Sequence, residues 1–542
     1  MELKDLALPS LNAFASDYLT DQLEVDDFFH YSLSDDGKYN KRYQELMSRN
    51  FFRDELADSI EKYMEKYSLS IPVKENIEAF RKEDSVVVIG GQQAGLLTGP
   101  LYTIHKVISI IKLAEEQEKA LGKKVIPVFW IAGEDHDLAE VNHVYTLKNG
   151  IREKNTYPFY HPFKLMITDI ELDIETAQSW VSEIIETYGE TDFTNKLLAD
   201  TNEVIKRSTT FVDFFACLIH NWFHDFGLLM IDAADPELRK LESEFFAMFI
   251  DKAEAITKAV HSQQSFMQQS GYKRMIEIQE NAANLFYYDS EKKDRILLEV
   301  DNGIFSGKNE GISFTQQELH ECSRVTPERL SNNVVTRPIM QEMLFPVLAF
   351  ISGPGEIAYW AELKQAFELF SMKMPPIVPR LNITIIERGI ATDLNEVGLN
   401  LETVLTKGTK SAQSQFLHSV KDDTIEVLFH EMKAKLNESH ELFTERAISL
   451  DKGLDPLLQK NRKFIEQQLD FIYGKMNESS RKKHEVVLNK YQRIENSLFP
   501  FDAPQERLWN IFYYLNKYGT DFINELVQQP YTFNNKHKVI YL

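Results

Sequence analysis

Five short apolar runs, each closing on glycine or small polar residues, constrain this chain more than any other feature. The first is Ser85-Val86-Val87-Val88-Ile89, which runs into Gly90-Gly91. A run that is apolar at every position suits a strand covered on both faces, as in a parallel sheet. After the glycines, Leu101, Ile104, Ile108 and Ile111 recur at helical spacing, with Pro100 placed for the first turn. The unit repeats. Val125–Ile131 runs into Gly133-Glu134-Asp135-His136-Asp137, and Gly227–Ile231 into Asp232-Ala233-Ala234-Asp235-Pro236. Phe345–Ile351 runs into Ser352-Gly353-Pro354-Gly355-Glu356, and Pro376–Pro379 into Arg380-Leu381-Asn382. Strands alternating with helices predict an α/β fold with a parallel, right-handed, doubly wound sheet. Ligands of such sheets bind outside the carboxyl ends of the strands.

The chain has 542 residues, too many for one simple core. Residues 1–84 read as a helical segment, with Tyr43, Leu46, Phe51, Leu56, Ile60 and Tyr63 at helical spacing. Residues 85–236 hold the first part of the sheet with a helical insertion, and residues 345–411 the second. Between them, 237–344 reads as an inserted α+β subdomain beside the ligand edge. Its β-like runs Asn284–Tyr288 and Arg295–Val300 are punctuated by turn signals at Asp301-Asn302-Gly303 and Lys308-Asn309-Glu310-Gly311. Residues 412–500 are polar and helical. Ile425, Leu428, Met432 and Leu436 form one stripe; Leu454, Leu458, Ile465, Leu469 and Ile472 another; Val487, Tyr491, Ile494 and Leu498 a third. With a bend at Gly453 and Pro456, this predicts an antiparallel helical hairpin or coiled coil. The aromatic-rich segment 501–542, with Trp509, Phe512, Tyr513 and Tyr514, is expected to pack back on the body.

Hydrophobic residues make up 43% and charged residues 26%, enough to bury real cores. The net charge of −23 argues against a nucleic-acid partner, which needs Lys and Arg to neutralise phosphates. A small anion is still compatible, because local N–H groups hold it. Two cysteines, Cys217 and Cys322, give neither a disulfide framework nor a zinc ribbon, and Cys217 lies in an apolar run as a small hydrophobe. The N-terminus lacks a basic region followed by an apolar stretch, and no apolar stretch is long enough to span a membrane. A cytoplasmic protein is expected.

Three loops could carry chemistry. Gly90-Gly91-Gln92-Gln93-Ala94-Gly95-Leu96-Leu97-Thr98-Gly99-Pro100 joins glycines to a helix start, whose N–H groups and dipole suit phosphate or carboxylate. Gly91, Gln92, Gln93, Thr98, Gly99 and Tyr102 are candidate binding residues. His105 and Lys106 follow on the helix, and His105 belongs either to the core or to the site. In the second loop, Glu134, Asp135, His136 and Asp137 close an apolar strand that includes Trp130. Four ionisable groups there must line a cleft, bind a cation or meet a substrate amine. Carboxylates flanking His136 should favour its charged form, which suits acid–base work. Asn142 and His143 lie just downstream. Asp135, His136 and His143 match no strong metal template, so no metal is assigned. The third loop, Ser352-Gly353-Pro354-Gly355-Glu356, repeats the glycine turn, with Tyr359 on its helix. Its alternative role is helix capping. Arg380 either clamps an anion or forms a salt bridge.

The stretch Val88–Lys106, the stretch Pro127–Asp137 and the stretch Ile351-Ser352-Gly353-Pro354-Gly355-Glu356-Ile357-Ala358-Tyr359-Trp360 resemble the cysteine ligase family of bacillithiol biosynthesis, BshC. The resemblance covers the whole chain. It implies a Rossmann-like core with connecting subdomains, a C-terminal α-helical coiled coil and pairing as a homodimer through the long helices. It also implies joining L-cysteine to glucosaminyl malate, with ATP activating the carboxylate. The chemistry then demands charge neutralisation, a positioned amine and a proton acceptor. Anion contacts are assigned to Gly90–Thr98 with His105 and Lys106, and amine recognition and proton acceptance to Glu134, Asp135, His136 and Asp137. The chain lacks the HIGH tetrapeptide of class I synthetases. Lys475-Met476-Asn477-Glu478-Ser479-Ser480 resembles their KMSKS loop but lies within the long helices. Two other readings stand beside this one: a nucleotidyltransferase-like enzyme acting on a sugar phosphate, and a non-catalytic coiled-coil assembly protein.

Overall fold

The computed structural model describes residues 1–542 other than 11, 149, 308–310 and 422. The first three residues of the expected turn Lys308-Asn309-Glu310-Gly311 therefore lie outside the described residues. The chain divides into two compact units. One comprises Met1–Thr384 and Gln505–Ile540, the other Ile385–Pro504 with Tyr541–Leu542.

Each apolar run of the first unit becomes a strand of one sheet. In chain order come β1 (Val86–Gln92), α1 (Tyr102–Leu121), β2 (Val125–Ile131) and β3 (Leu229–Asp232). The long helix α2 (Pro236–Gln269) leads into an inserted sheet that includes β4 (Ala282–Asp289), β5 (Asp294–Asp301) and β6 (Leu330–Asn332). After α3 (Thr336–Leu344), the chain returns with β7 (Val347–Ser352), α4 (Pro354–Trp360) and β8 (Ile377–Pro379). The central order is β8-β7-β1-β2-β3, and every neighbouring pair is parallel. β1, β2 and β7 are buried almost throughout, which explains their unbroken apolar sequence. The chain winds outward from β1 to β3 and later resumes beyond β1 at β7. The topological switch point therefore lies between β1 and β7.

The inserted sheet has five strands, with Ser313–Thr315 and Ile304–Gly307 continuing outward from β5, and β4 and β6 on its other side. All its pairs are antiparallel. The N-terminal helices brace the central sheet through charge. Buried Arg42 donates from Nε to the Val347 carbonyl at 2.9 Å and pairs with Glu45 and with buried Glu342, which Arg49 also meets.

In the second unit, Asp423–Leu450 and Asp455–Lys483 are joined at Lys452–Leu454. Phe429 stacks on Tyr473 at 4.2 Å, Lys433 pairs with Asp470 at 2.8 Å, and Arg462 pairs with Glu441 at 3.1 Å. These pairings run in opposite directions along the two helices, so the hairpin is antiparallel. The stripe Leu428–Met432 differs from expectation: both residues are exposed, and Phe429, His440 and Ala447 are buried instead. At these two positions the contact face is shifted by one residue, to Phe429 and Lys433, which stack on Tyr473 and pair with Asp470, while Ile425, Leu436, Leu458, Ile465 and Leu469 of the expected stripes are half-buried.

Breaking one member of a buried ion cluster leaves charge without its partner. Arg42→Met should lower the unfolding free energy by about 3 kcal/mol, measured by urea denaturation. A loss under about 0.5 kcal/mol would mark the cluster as dispensable.

Candidate active site

The carboxyl ends of β1, β2 and β7 open into a cavity of about 900 Å³. At the switch point, the Lys106 ammonium reaches from α1 to the Gly91 carbonyl at 2.7 Å and the Glu356 carboxylate at 2.5 Å. Glu356 also accepts from the Gly353 N–H at 2.7 Å. Lys106 is buried, and desolvation pulls its ammonium below the usual lysine range despite Glu356. Gly91, Gln92, Gln93, Tyr102, Lys106, Gly353, Glu356, Tyr359 and Arg380 all line the cavity.

The acidic loop forms the opposite wall. Gln93 Nε2 donates to Asp135 Oδ2 at 2.6 Å, and the His136 N–H donates to Asp135 Oδ1 at 2.7 Å. The two loops thus meet directly, though they are far apart along the chain. Burial raises the Asp135 carboxyl, but Gln93, Arg295 and the His136 N–H outweigh it and hold it below the usual range. Trp130, Glu134, His136 and His143 also line this wall. Glu134 is buried, pairs with Arg239 and accepts from the Asn332 N–H at 3.2 Å. The loop is set by Asp232 at the end of β3, which accepts from the Gly133 N–H at 3.1 Å, the Ala234 N–H at 3.0 Å and the Thr168 hydroxyl at 2.7 Å. A Cβ at Gly133 would collide with that carboxylate.

His136 corrects the expected charge state. Burial and the Arg295 guanidinium push its imidazole down to about 4, against the smaller pull of Asp135. Arg295 Nη1 lies 3.0 Å from His136 Nδ1, closer than any carboxylate. The ring is neutral at neutral pH.

Six candidates do not line the cavity. Thr98 and Gly99 are held under the C-terminal return: Asn510 donates to the Leu97 carbonyl at 2.8 Å and the Gly99 carbonyl at 2.7 Å, and the Leu101 N–H donates to Trp509. Leu97 and Thr98 adopt left-handed φ of 51° and 69°, a strained conformation that this clamp fixes. The α1 start is thereby covered and is no open anion cradle. His105 is buried, with Nδ1 3.1 Å from Glu506. Glu506 in turn makes a two-pronged pair with Arg380, both contacts at 2.8 Å. Burial raises the Glu506 carboxyl, but Arg380 and His105 carry it well below the carboxylate range. Asp137 is exposed at the head of a short helix, Asn142 is buried with its backbone carbonyl accepting from the Tyr157 N–H, and Ser352 is buried.

Sequence reasoning missed Arg295 and Phe286 from the inserted sheet, and Asn332, Arg337 and Arg507, which also line the cavity. Arg337 donates to the Tyr359 hydroxyl at 2.6 Å. Only their nearness in the fold marks these residues. Among the described residues, no group of three His, Cys, Asp or Glu could hold a metal ion.

The family model "Bacillithiol biosynthesis BshC, N-terminal Rossmann-like domain" matches residues 1–381, and "Bacillithiol biosynthesis BshC, C-terminal coiled-coil domain" matches 383–542. The chain belongs to the BshC family. BshC relatives match it over their full length and its own. They include "Putative cysteine ligase BshC" of Geobacillus thermodenitrificans (44% identical), of Geobacillus sp. strain WCH70 (45%) and of Bacillus cereus (42%). The central sheet is thus the Rossmann-like domain of a BshC protein, and the long hairpin lies in its coiled-coil domain.

Burial raises Asp232 from 3.8 to about 6. A raised acid favours the protonated folded state, so its contribution is present at low pH and lost as pH rises through about 6. Asp232→Asn keeps an acceptor for the Gly133 N–H and removes the titration. Its stability relative to wild type should therefore rise between about pH 4 and 6, read from urea midpoints. A difference independent of pH would contradict the assignment.

Proposed function

We propose that this protein is an amide-forming ligase that adds L-cysteine to glucosaminyl malate, completing bacillithiol, with ATP activating the cysteine carboxylate. The observation that carries the reading is the meeting of two unlike walls over one cavity. Lys106, Arg337, Arg380 and Arg507 lie toward β7 and α1, and Asp135 and His136 lie at the end of β2.

A carboxylate does not acylate an amine at neutral pH until its oxygen becomes a leaving group, and a nucleoside triphosphate supplies that activation. The residues present fit a polyanion. Lys106 and Arg337 are long cations at a Rossmann-like switch point, where the glycines of both turns permit close backbone approach. Arg380 is committed to Glu506, so it shapes the wall more than it binds. Malate carboxylates need the same kind of neutralisation. Asp135 offers an acceptor to an N–H of the glucosamine amine, which attacks in its uncharged form. Gln93 positions Asp135, and Glu134 is balanced by Arg239. The relatives' name, "Putative cysteine ligase BshC", supports the reaction class.

The protein is proposed to act in the cytoplasm, where its free thiols Cys217 and Cys322 would stay reduced. No described helix is long and apolar enough to cross a membrane. It is proposed to pair through the helical hairpin, which exposes Leu428, Leu442, Phe443 and Leu450.

Thiol profiling of cells lacking the gene tests the proposal. Bacillithiol should vanish and glucosaminyl malate accumulate. The wild-type gene should restore the thiol, whereas one encoding His136→Ala should not. An unchanged thiol profile would refute the ligase reading.

A further inference from the structure

We propose that Arg295 fixes His136 as a neutral hydrogen-bond donor, and that Asp135, not His136, receives the proton of the attacking amine. This rests on the ligase reading and divides the labour within its site.

Arg295 has little freedom. From β5 its Nε donates to the Ser331 hydroxyl at 3.0 Å and its Nη2 to the Asn332 carbonyl at 2.5 Å. Its guanidinium lies 3.8 Å over the Phe286 ring, against which His136 also packs edge-on at 5.7 Å. The remaining arm, Nη1, is 3.0 Å from His136 Nδ1. A guanidinium has only donors. Nδ1 must therefore supply the lone pair, and the ring proton must sit on Nε2. Nε2 has no partner among the described residues, and His136 lines the cavity. The other charges facing the ring are Lys164, Asp135 and Asp137. Asp135 Oδ1 is 3.9 Å from Nδ1, too far to compete with Arg295 for that nitrogen.

An imidazole whose free nitrogen already carries hydrogen cannot accept a proton there, but it can stabilise an oxyanion. In the step proposed, the glucosamine nitrogen attacks the activated carboxyl carbon of cysteine. The C–N bond forms and the carbonyl electrons move to oxygen, which Nε2–H meets. The oxygen then re-forms the carbonyl, and the C–O bond to the nucleoside phosphate breaks with its electron pair leaving on phosphate. The nitrogen proton passes to Asp135 and on to solvent. Asp135 is a weak base, which suits the acidic N–H of such an adduct.

Nitrogen-15 NMR of histidine-labelled full-length protein tests the tautomer, with the His136 signals assigned by their absence in His136→Gln. Wild type should show Nδ1 bare and Nε2 protonated throughout about pH 5.5 to 8.5. Arg295→Met should free Nδ1 to take a proton and move the ring's titration upward, with burial still holding it below an ordinary imidazole, and Arg295→Lys, which keeps a donor, should preserve the wild-type pattern. Wild-type titration at about 6.5, or a proton on Nδ1, would overturn the proposal even if Arg295→Met failed to fold. In ligation assays, His136→Ala should lose about 10²- to 10³-fold in rate. His136→Gln, whose amide nitrogen overlays Nε2, should recover most of that loss; equal losses in both would also overturn it. A wild-type protein that shows the expected tautomer yet forms no amide would sink the ligase reading alone.

Discussion

The site depends on a single buried ammonium at the point where the sheet reverses its winding. Strand order leaves a crevice between β1 and β7, and Lys106 spans it, held by the Gly91 carbonyl and the Glu356 carboxylate. Because Glu356 also caps the Gly353 turn, the Lys106–Glu356 pair ties both glycine turns together. At the first turn glycine is needed for this, because a Cβ on Gly90 would press on the Ile351 carbonyl at 3.1 Å and one on Gly91 on the Trp130 carbonyl at 3.0 Å. A second tie, from Glu506 to Arg380 and His105, brings the C-terminal return under the same crevice. The segment that follows the helical hairpin in sequence therefore completes the first unit.

The cavity is less acidic than the chain that builds it. The chain as a whole carries a net charge of −23. Around the cavity, by contrast, five cationic side chains, Lys106, Arg295, Arg337, Arg380 and Arg507, balance five carboxylates, Glu134, Asp135, Glu140, Glu277 and Glu356. Several of the cations are already engaged, by Glu356, His136, Tyr359 and Glu506. These contacts fix where the charges point before any ligand arrives, which is the condition for electrostatic preorganisation.

The Rossmann-like sheet was legible because a strand buried on both faces must be apolar at every position, and all five such runs became strands. The glycine and acidic loops were legible because glycines and ionisable groups at strand ends have few structural uses. The charge of His136 was not. Its sequence neighbours are carboxylates, but the group that decides its state, Arg295, lies on an inserted strand more than a hundred residues away. Likewise the sequence around Thr98 suits a ligand donor, but Asn510 holds that loop closed through the Leu97 and Gly99 carbonyls. Local sequence carries the backbone's demands; it does not carry which distant side chain arrives at a nitrogen or a carbonyl.

Crystals grown with L-cysteine, glucosaminyl malate and a non-hydrolysable ATP analogue would test the central claim most directly. The account predicts all three ligands in the cavity. Phosphate and carboxylate oxygens should lie against Lys106 and Arg337, and the glucosamine nitrogen should lie within hydrogen-bonding reach of Asp135. Ligands bound elsewhere, with this cavity empty at saturating concentrations, would contradict it.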